Sequence, residues 1–133
     1  MYKVLIPTAG LGSRLEKYTK YLNKSLISIN LKPTLSWQID KFSKDTEFVI
    51  ALGYKGKLVR QFLQIAYPNR KFIFVDVDKY DGKGSGLGYS IIKCRDYLND
   101  PFIFMSCDTL VDEDIPPPNC NWMGFSNVDN NVF

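Results

Sequence analysis

Two glycines and three charged side chains supply most of the chemistry that this chain can offer. Gly10-Leu11-Gly12 follows the apolar run YKVLIPT, Arg14 and Lys24 come shortly after, and Asp108 closes the run PFIFMSC. A glycine lacks Cβ and reaches positive φ, so Ala9, Gly10, Leu11, Gly12 and Ser13 can turn several amide N–H groups toward an anion. A guanidinium grips phosphate oxygens bidentately and an ammonium serves as a point charge on the same groups, which makes Arg14 and Lys24 the candidate cations. A carboxylate at the carboxyl end of a strand points into the crevice where a ligand lies. Mg²⁺ takes one or two such groups plus substrate phosphates, so Asp108 is the candidate metal ligand, with Asp112 in reach of the same place.

Each feature also has a plain explanation. Two glycines after a strand can be a strand-to-helix turn, and an aspartate can cap the turn that follows it. Lys17 and Lys20, in the same stretch, read as solvated face. Gly10-Leu11-Gly12 is not a GxGxxG fingerprint, because the third glycine would fall at Leu15, and no GKS or GKT is present, so a dinucleotide loop and a P-loop are disfavoured.

Composition narrows the chemistry further. The 133 residues contain no histidine, which removes His-based triads and leaves Cys94, Cys107 and Cys120 without the usual zinc partners. No CxxC pair occurs, and the three thiols read as buried or half-buried in a reducing compartment. The net charge of +3 is spread along the chain, too weak for nucleic acid but enough for a small anion. No apolar run approaches a membrane span, and MYKVLIP enters a strand at once without a leader pattern, so the expected location is cytoplasmic with no membrane partner. Self-association is left open.

The elements that must position these groups can be read from period. Residues 2–8, 47–52, 71–77 and 101–106 are near-continuous apolar runs rich in Val, Ile and Phe, as in strands covered on both faces. Between them Leu35, Ile39 and Phe42, then Leu58, Phe62 and Ile65, then Leu87, Ile91, Cys94 and Leu98 recur at helical spacing and predict three helices. The alternation predicts an α/β fold: a three-layer sandwich with a mostly parallel, Rossmann-like sheet, right-handed crossovers, and ligands bound beyond the carboxyl ends of the strands. After Asp114 the proline triplet excludes a helix. WMGFS (122–126) reads as one more short strand, and the tail VDNNVF (128–133) as neither helix nor cap.

LIPTAGLGSRL (5–15) followed by NKSLISINLKPTLSWQI (23–39) resembles the N-terminal signature of nucleotidyltransferases that activate sugar phosphates and related phosphorylated alcohols. Their pattern is roughly L-x-P-x-A-G-x-G-x-R-L, then P-K-x-L, then a helix bearing Pro-Leu. The departure is Asn23, where the family usually has proline before its lysine, which puts the rigidity of the approach of Lys24 in question. ALGYKGKLVRQFL (51–63) is similar to the family's second strand, Gly-Tyr turn and helix. GKGSGLGYSI (82–91) lies where the family has a small-residue loop against base and ribose, so the resemblance assigns Gly84, Ser85 and Gly86 to nucleotide; the alternative is a helix start capped by Ser85.

The resemblance implies that the glycine loop wraps a nucleoside triphosphate, that Arg14 and Lys24 neutralise phosphate charge in the transition state, and that Asp108 binds Mg²⁺. It implies transfer of a nucleotidyl group to a small phosphorylated acceptor with release of pyrophosphate, within activated-precursor biosynthesis. Family members run on well beyond this length, so residues 1–133 are expected to be the N-terminal portion of a longer nucleotidyltransferase domain. A nucleotide-binding domain without the complete machinery and a scaffold whose glycine loop is only a turn are the competing expectations.

Overall fold

The structure is a computed structural model and describes residues 1–127; the tail at 128–133 lies outside the described residues. In chain order the elements are β1 (Lys3–Pro7), β2 (Ser28–Ile29), β3 (Lys32–Pro33), α1 (Thr34–Ile39), β4 (Glu47–Leu52), α2 (Gly56–Ala66), β5 (Lys71–Asp76), α3 (Leu87–Cys94) and β6 (Phe102–Phe104). Short 3₁₀ segments add Ser13–Tyr18, which is kinked at Glu16, Lys24–Leu26 and Arg95–Tyr97.

The main sheet has the order β5-β4-β1-β6, with every pairing parallel. Its central strands carry no polar alternation because both faces are covered: Val4, Leu5 and Ile6 and Phe48 through Ala51 are all fully buried. Val4, Ile6, Phe48, Ile50 and Leu52 meet α1 and α2 through Leu35, Ile39, Val59 and Leu63 on one face. Leu5, Val49 and Ala51 meet Cys94, Tyr89 and Ile91 of α3 on the other. The expected three-layer α/β sandwich with a Rossmann-like sheet is therefore what forms. From β1 the chain steps outward to β4 and β5, then α3 returns it across the sheet to β6 on the far side of β1. That reversal opens a crevice beyond the carboxyl ends of β1 and β6.

Four details differ from the sequence reading. Residues 122–126 form no strand and their large side chains stand in solvent, with Met123 and Phe125 86% and 87% exposed: a strand exists only where a neighbour completes its ladder, and none is offered there. The stripe of α2 is Val59 and Leu63, with Leu58 and Ile65 exposed. LVRQFLQIA holds two apolar rows at helical spacing, and the rotation is set by Gly56, where a Cβ would come within 2.9 Å of Leu52 Cβ. On α3 Leu87 is likewise exposed, and Ser90 and Cys94 are the buried positions. Cys94 and Cys107 are buried as expected, but Cys120 lies in the exposed segment after the prolines.

The two-residue β2–β3 hairpin was not legible, because its turn places Asn30 and also the fully exposed Leu31 at positive φ, and leucine is no turn signal. Arg70 donates to the carbonyls of Ile39 and Phe42 (3.3 and 3.0 Å) and to that of Ser43, closing the end of α1. The register of α2 gives a direct test by denaturant unfolding. Leu63→Ala should lower stability by roughly 2–5 kcal/mol. Ile65→Ala should stay within about 0.5 kcal/mol of the wild type.

Candidate functional site

The chain leaves β1 at Pro7, and the next residues are held from below. Thr8 donates both N–H and Oγ1 to Ala51 O (2.9 and 2.8 Å), and Ala9 O accepts from Tyr54 N at 2.9 Å. Gly53 is required beneath it, since a Cβ there would lie 2.6 Å from Ala9 O. Above this support Gly10 is exposed, and the amides of Gly10, Leu11, Gly12 and Ser13 donate to no protein acceptor among the described residues. Gly12 turns the chain at φ +66 and lets Thr19 and Lys24 pack close: a Cβ would meet Thr19 Cγ2 at 2.9 Å and Lys24 Cβ at 3.2 Å. The result is a loop with free N–H groups whose Gly12 packs against the stem of Lys24.

Lys24 reaches across the crevice to the loop after β6. Its Nζ lies 3.0 Å from Asp108 Oδ2, and Ser106 Oγ donates to Asp108 Oδ1 at 2.6 Å. The bond from Ser106 holds the Asp108 carboxyl below its ordinary 3.8; partial burial opposes this and Lys24 adds to it, so the group is ionised at neutral pH. For Lys24 burial pulls the pKa down, but Cys107, the hydrogen bond to Asp108 and the charge of Asp108 outweigh it and leave the pKa above 10.5. The Cys107 thiol is itself pushed up to about 11 by burial and is neutral at pH 7, so at that pH Asp108 is the anion that faces the ammonium. Arg14 is the second residue of the first 3₁₀ segment, is exposed, and stands near enough for its charge to act against that of Lys24.

The structure thus brings Gly12, Lys24 and Asp108 together, with Arg14 at the rim. Gly84, Ser85 and Gly86 lie in the connection from β5 to α3, at the same end of the sheet, with no described contact to that cluster. The capping alternative for Ser85 is not what forms: Gly86 holds the cap position, and Ser85 Oγ donates to Gly82 O at 2.7 Å. Asp112 makes no side-chain contact with the pair among the described residues, and its backbone carbonyl accepts from Lys41 Nζ at 2.7 Å. Lys17 and Lys20 are exposed and lie over the rings of Tyr18 and Tyr21. They line, with Leu11, Ser13, Glu16, Thr19 and Tyr54, an open hollow of about 380 Å³ on the flank of the glycine loop, which neither Lys24 nor Asp108 lines.

Three residues in the site were given no role there by the sequence reading. Ser106 orients the carboxylate. Gln38, 1% exposed on α1, donates Nε2 to Ser106 O and Thr109 O (2.5 and 2.7 Å), fixing the turn that carries Asp108. A polar residue within the stripe Leu35, Ile39, Phe42 was the signal for it. Tyr54 donates its hydroxyl to Thr19 O at 2.7 Å.

A parallel α/β sheet carries a glycine loop, a lysine and an aspartate at its switch point, and comparison with known proteins shows what this arrangement is similar to. The chain matches no family model. It is 29% identical over 113 residues to the bifunctional protein GlmU of Methanocaldococcus jannaschii, covering 84% of this chain and 26% of that one. It is 25% identical over 135 residues to the UTP–glucose-1-phosphate uridylyltransferase of Staphylococcus epidermidis, covering 86% and 47%. Among solved structures it is similar to the CTP:phosphocholine cytidylyltransferase LicC of Streptococcus pneumoniae, with TM-score 0.73, 25% identity and coverage of 90% and 50%. A UDP-glucose pyrophosphorylase complexed with UDP-glucose shares the fold, with TM-score 0.69, 23% identity and coverage of 88% and 50%. In sequence and fold this chain is similar to the N-terminal part of sugar-phosphate nucleotidyltransferases. It spans about a quarter to a half of the length of these relatives.

The pair sets a pH dependence. Asp108 has a depressed folded pKa, so its contribution is fully present above 3.8 and is lost as pH falls through the folded value; Lys24 has a raised one, so its contribution is fully present below 10.5 and is lost as pH rises through the folded value. Being partly exposed, the pair is worth no more than about 1 kcal/mol. The stability gap between wild type and Asp108→Asn should be flat from about pH 5 to about pH 9 and close toward pH 2. A gap unchanged at low pH would contradict the pairing.

Proposed function

We propose that this chain carries the nucleoside triphosphate site of a nucleotidyltransferase that transfers a nucleoside monophosphate to a sugar phosphate or a similar small phosphorylated acceptor, releasing pyrophosphate. The observation that carries this reading is the Lys24–Asp108 pair, closed at 3.0 Å, with the stem of Lys24 packed against Gly12 of the glycine loop. A cation for phosphate and a carboxylate for metal are thereby held at one point of the crevice. The relatives support the same reading, because the uridylyltransferase and the cytidylyltransferase are named for such transfers.

The chemistry asks little of acid–base groups. An oxygen of the acceptor phosphate, already ionised at neutral pH, forms a bond to the α-phosphorus while the bond from that phosphorus to the bridging oxygen breaks and its electron pair leaves with pyrophosphate. A chain without histidine suits such a displacement. Gly10, Leu11, Gly12 and Ser13 would bind phosphate oxygens through their amides, and Lys24 and Arg14 would stabilise the charge that develops on them. The ionised, half-exposed Asp108 fits Mg²⁺ as a single protein ligand, phosphates and water completing the shell; among the described residues no group of three or more candidate ligands gathers anywhere. When bound, the ion supplies charge neutralisation at the phosphates. Gly84, Ser85 and Gly86, across the same end of the sheet, are assigned to base and ribose.

A second reading is a nucleotide-binding piece whose acceptor pocket belongs to sequence beyond it. The partial coverage of every relative compared favours it. Two measurements separate the readings. A nucleoside triphosphate with Mg²⁺ at a hundredfold over Kd should stabilise the fold by about 2.7 kcal/mol in both cases. Only the enzyme releases pyrophosphate with an acceptor. In that assay Lys24→Ala should reduce turnover roughly a hundredfold, and full activity in the variant would remove Lys24 from the mechanism.

A further inference from the structure

We propose that Asn23 is a positioning residue for Lys24, replacing the stiffness of a proline by a buried side-chain cross-link. Asn23 is fully buried and its backbone sits at φ −68 and ψ 143, a conformation that proline would lock. Its side chain is bonded in every direction. Nδ2 donates to Thr8 O at 2.8 Å and to Tyr54 O at 2.7 Å, and Oδ1 accepts from Ser25 N at 3.0 Å and Ser25 Oγ at 2.8 Å. The amide can face only one way, because the reverse orientation would set its oxygen against two carbonyls.

These bonds join three segments. Thr8 is the first residue after β1, just before the glycine loop, Tyr54 lies in the turn after β4, and Ser25 follows Lys24 itself. The residue directly before the ammonium-bearing lysine is therefore tied to both strand ends that support the loop. A proline at this position would keep φ but leave both carbonyls without their donor. The sequence signal is an asparagine with serine two positions on, an Asx cap opening the 3₁₀ turn Lys24–Leu26.

This inference rests on the nucleotide-binding reading above, and its test keeps the two apart. The four common nucleoside triphosphates, each with Mg²⁺, are titrated calorimetrically into the wild-type chain, and the tightest is carried into Asn23→Ala, Asn23→Pro, Lys24→Ala and the two double variants. Asn23→Ala should weaken binding about tenfold when Lys24 is present and less than about twofold in the Lys24→Ala background; Asn23→Pro should lose as much as Asn23→Ala. Equal losses in both backgrounds, no loss, or wild-type binding by Asn23→Pro would overturn the positioning role. If Asn23→Ala does not fold, the same cycle is read on Asn23→Ser, which retains a cap for Ser25 but cannot bridge the two carbonyls. A wild-type chain that binds none of the four would overturn the nucleotide reading itself.

Discussion

The pair between Lys24 and Asp108 joins residues 84 apart in sequence, and the rest of the molecule is arranged so that this contact can form. It depends on the sheet order. With β1 inside, flanked by β4 and β6, the loop leaving β1 and the turn leaving β6 emerge side by side at the same end. Had the chain continued outward past β5 instead of returning across the sheet, two strands would separate Asp108 from the glycine loop. The crossover through α3 is therefore as much a part of the site as the charged groups are.

Two buried amides then hold the two halves of the pair. On one side Asn23 binds the ends of β1 and β4 together beneath Lys24. On the other Gln38 binds the carbonyls of Ser106 and Thr109 around Asp108. Each spends both donors on main-chain carbonyls of the loops, adding directional bonds to the packing that buries Ala9 and Cys107 beneath them. The charges at the top remain half-exposed and free to exchange partners. In the proposed reaction Lys24 would bind phosphate oxygens, and Asp108 would hold the divalent cation that neutralises their charge.

The strands were legible because their runs are apolar on both faces, and β4, Glu47–Leu52, has the bounds that its residues announce. The rotation of α2 was not, since Leu58, Phe62 and Ile65 make as regular a row as Val59 and Leu63, and only the close approach of Gly56 to Leu52 decides between them. Residues 122–126 have the composition of a strand but no partner, which composition cannot reveal. In the site, glycines, cations and carboxylate were visible as residue types at strand ends. Asn23 was visible only as a departure from a pattern, and Gln38 only as a polar residue in an apolar stripe, because the value of a buried amide lies in carbonyls brought to it by distant segments.

A crystal structure of the chain with a non-hydrolysable nucleoside triphosphate and Mg²⁺ tests this account most directly. It should show phosphate oxygens against the amides of Gly10 to Ser13 and the ammonium of Lys24, with the cation about 2.1 Å from an Asp108 oxygen and the Lys24–Asp108 contact broken. Triphosphate bound elsewhere, with that contact still closed at 3.0 Å, would contradict it.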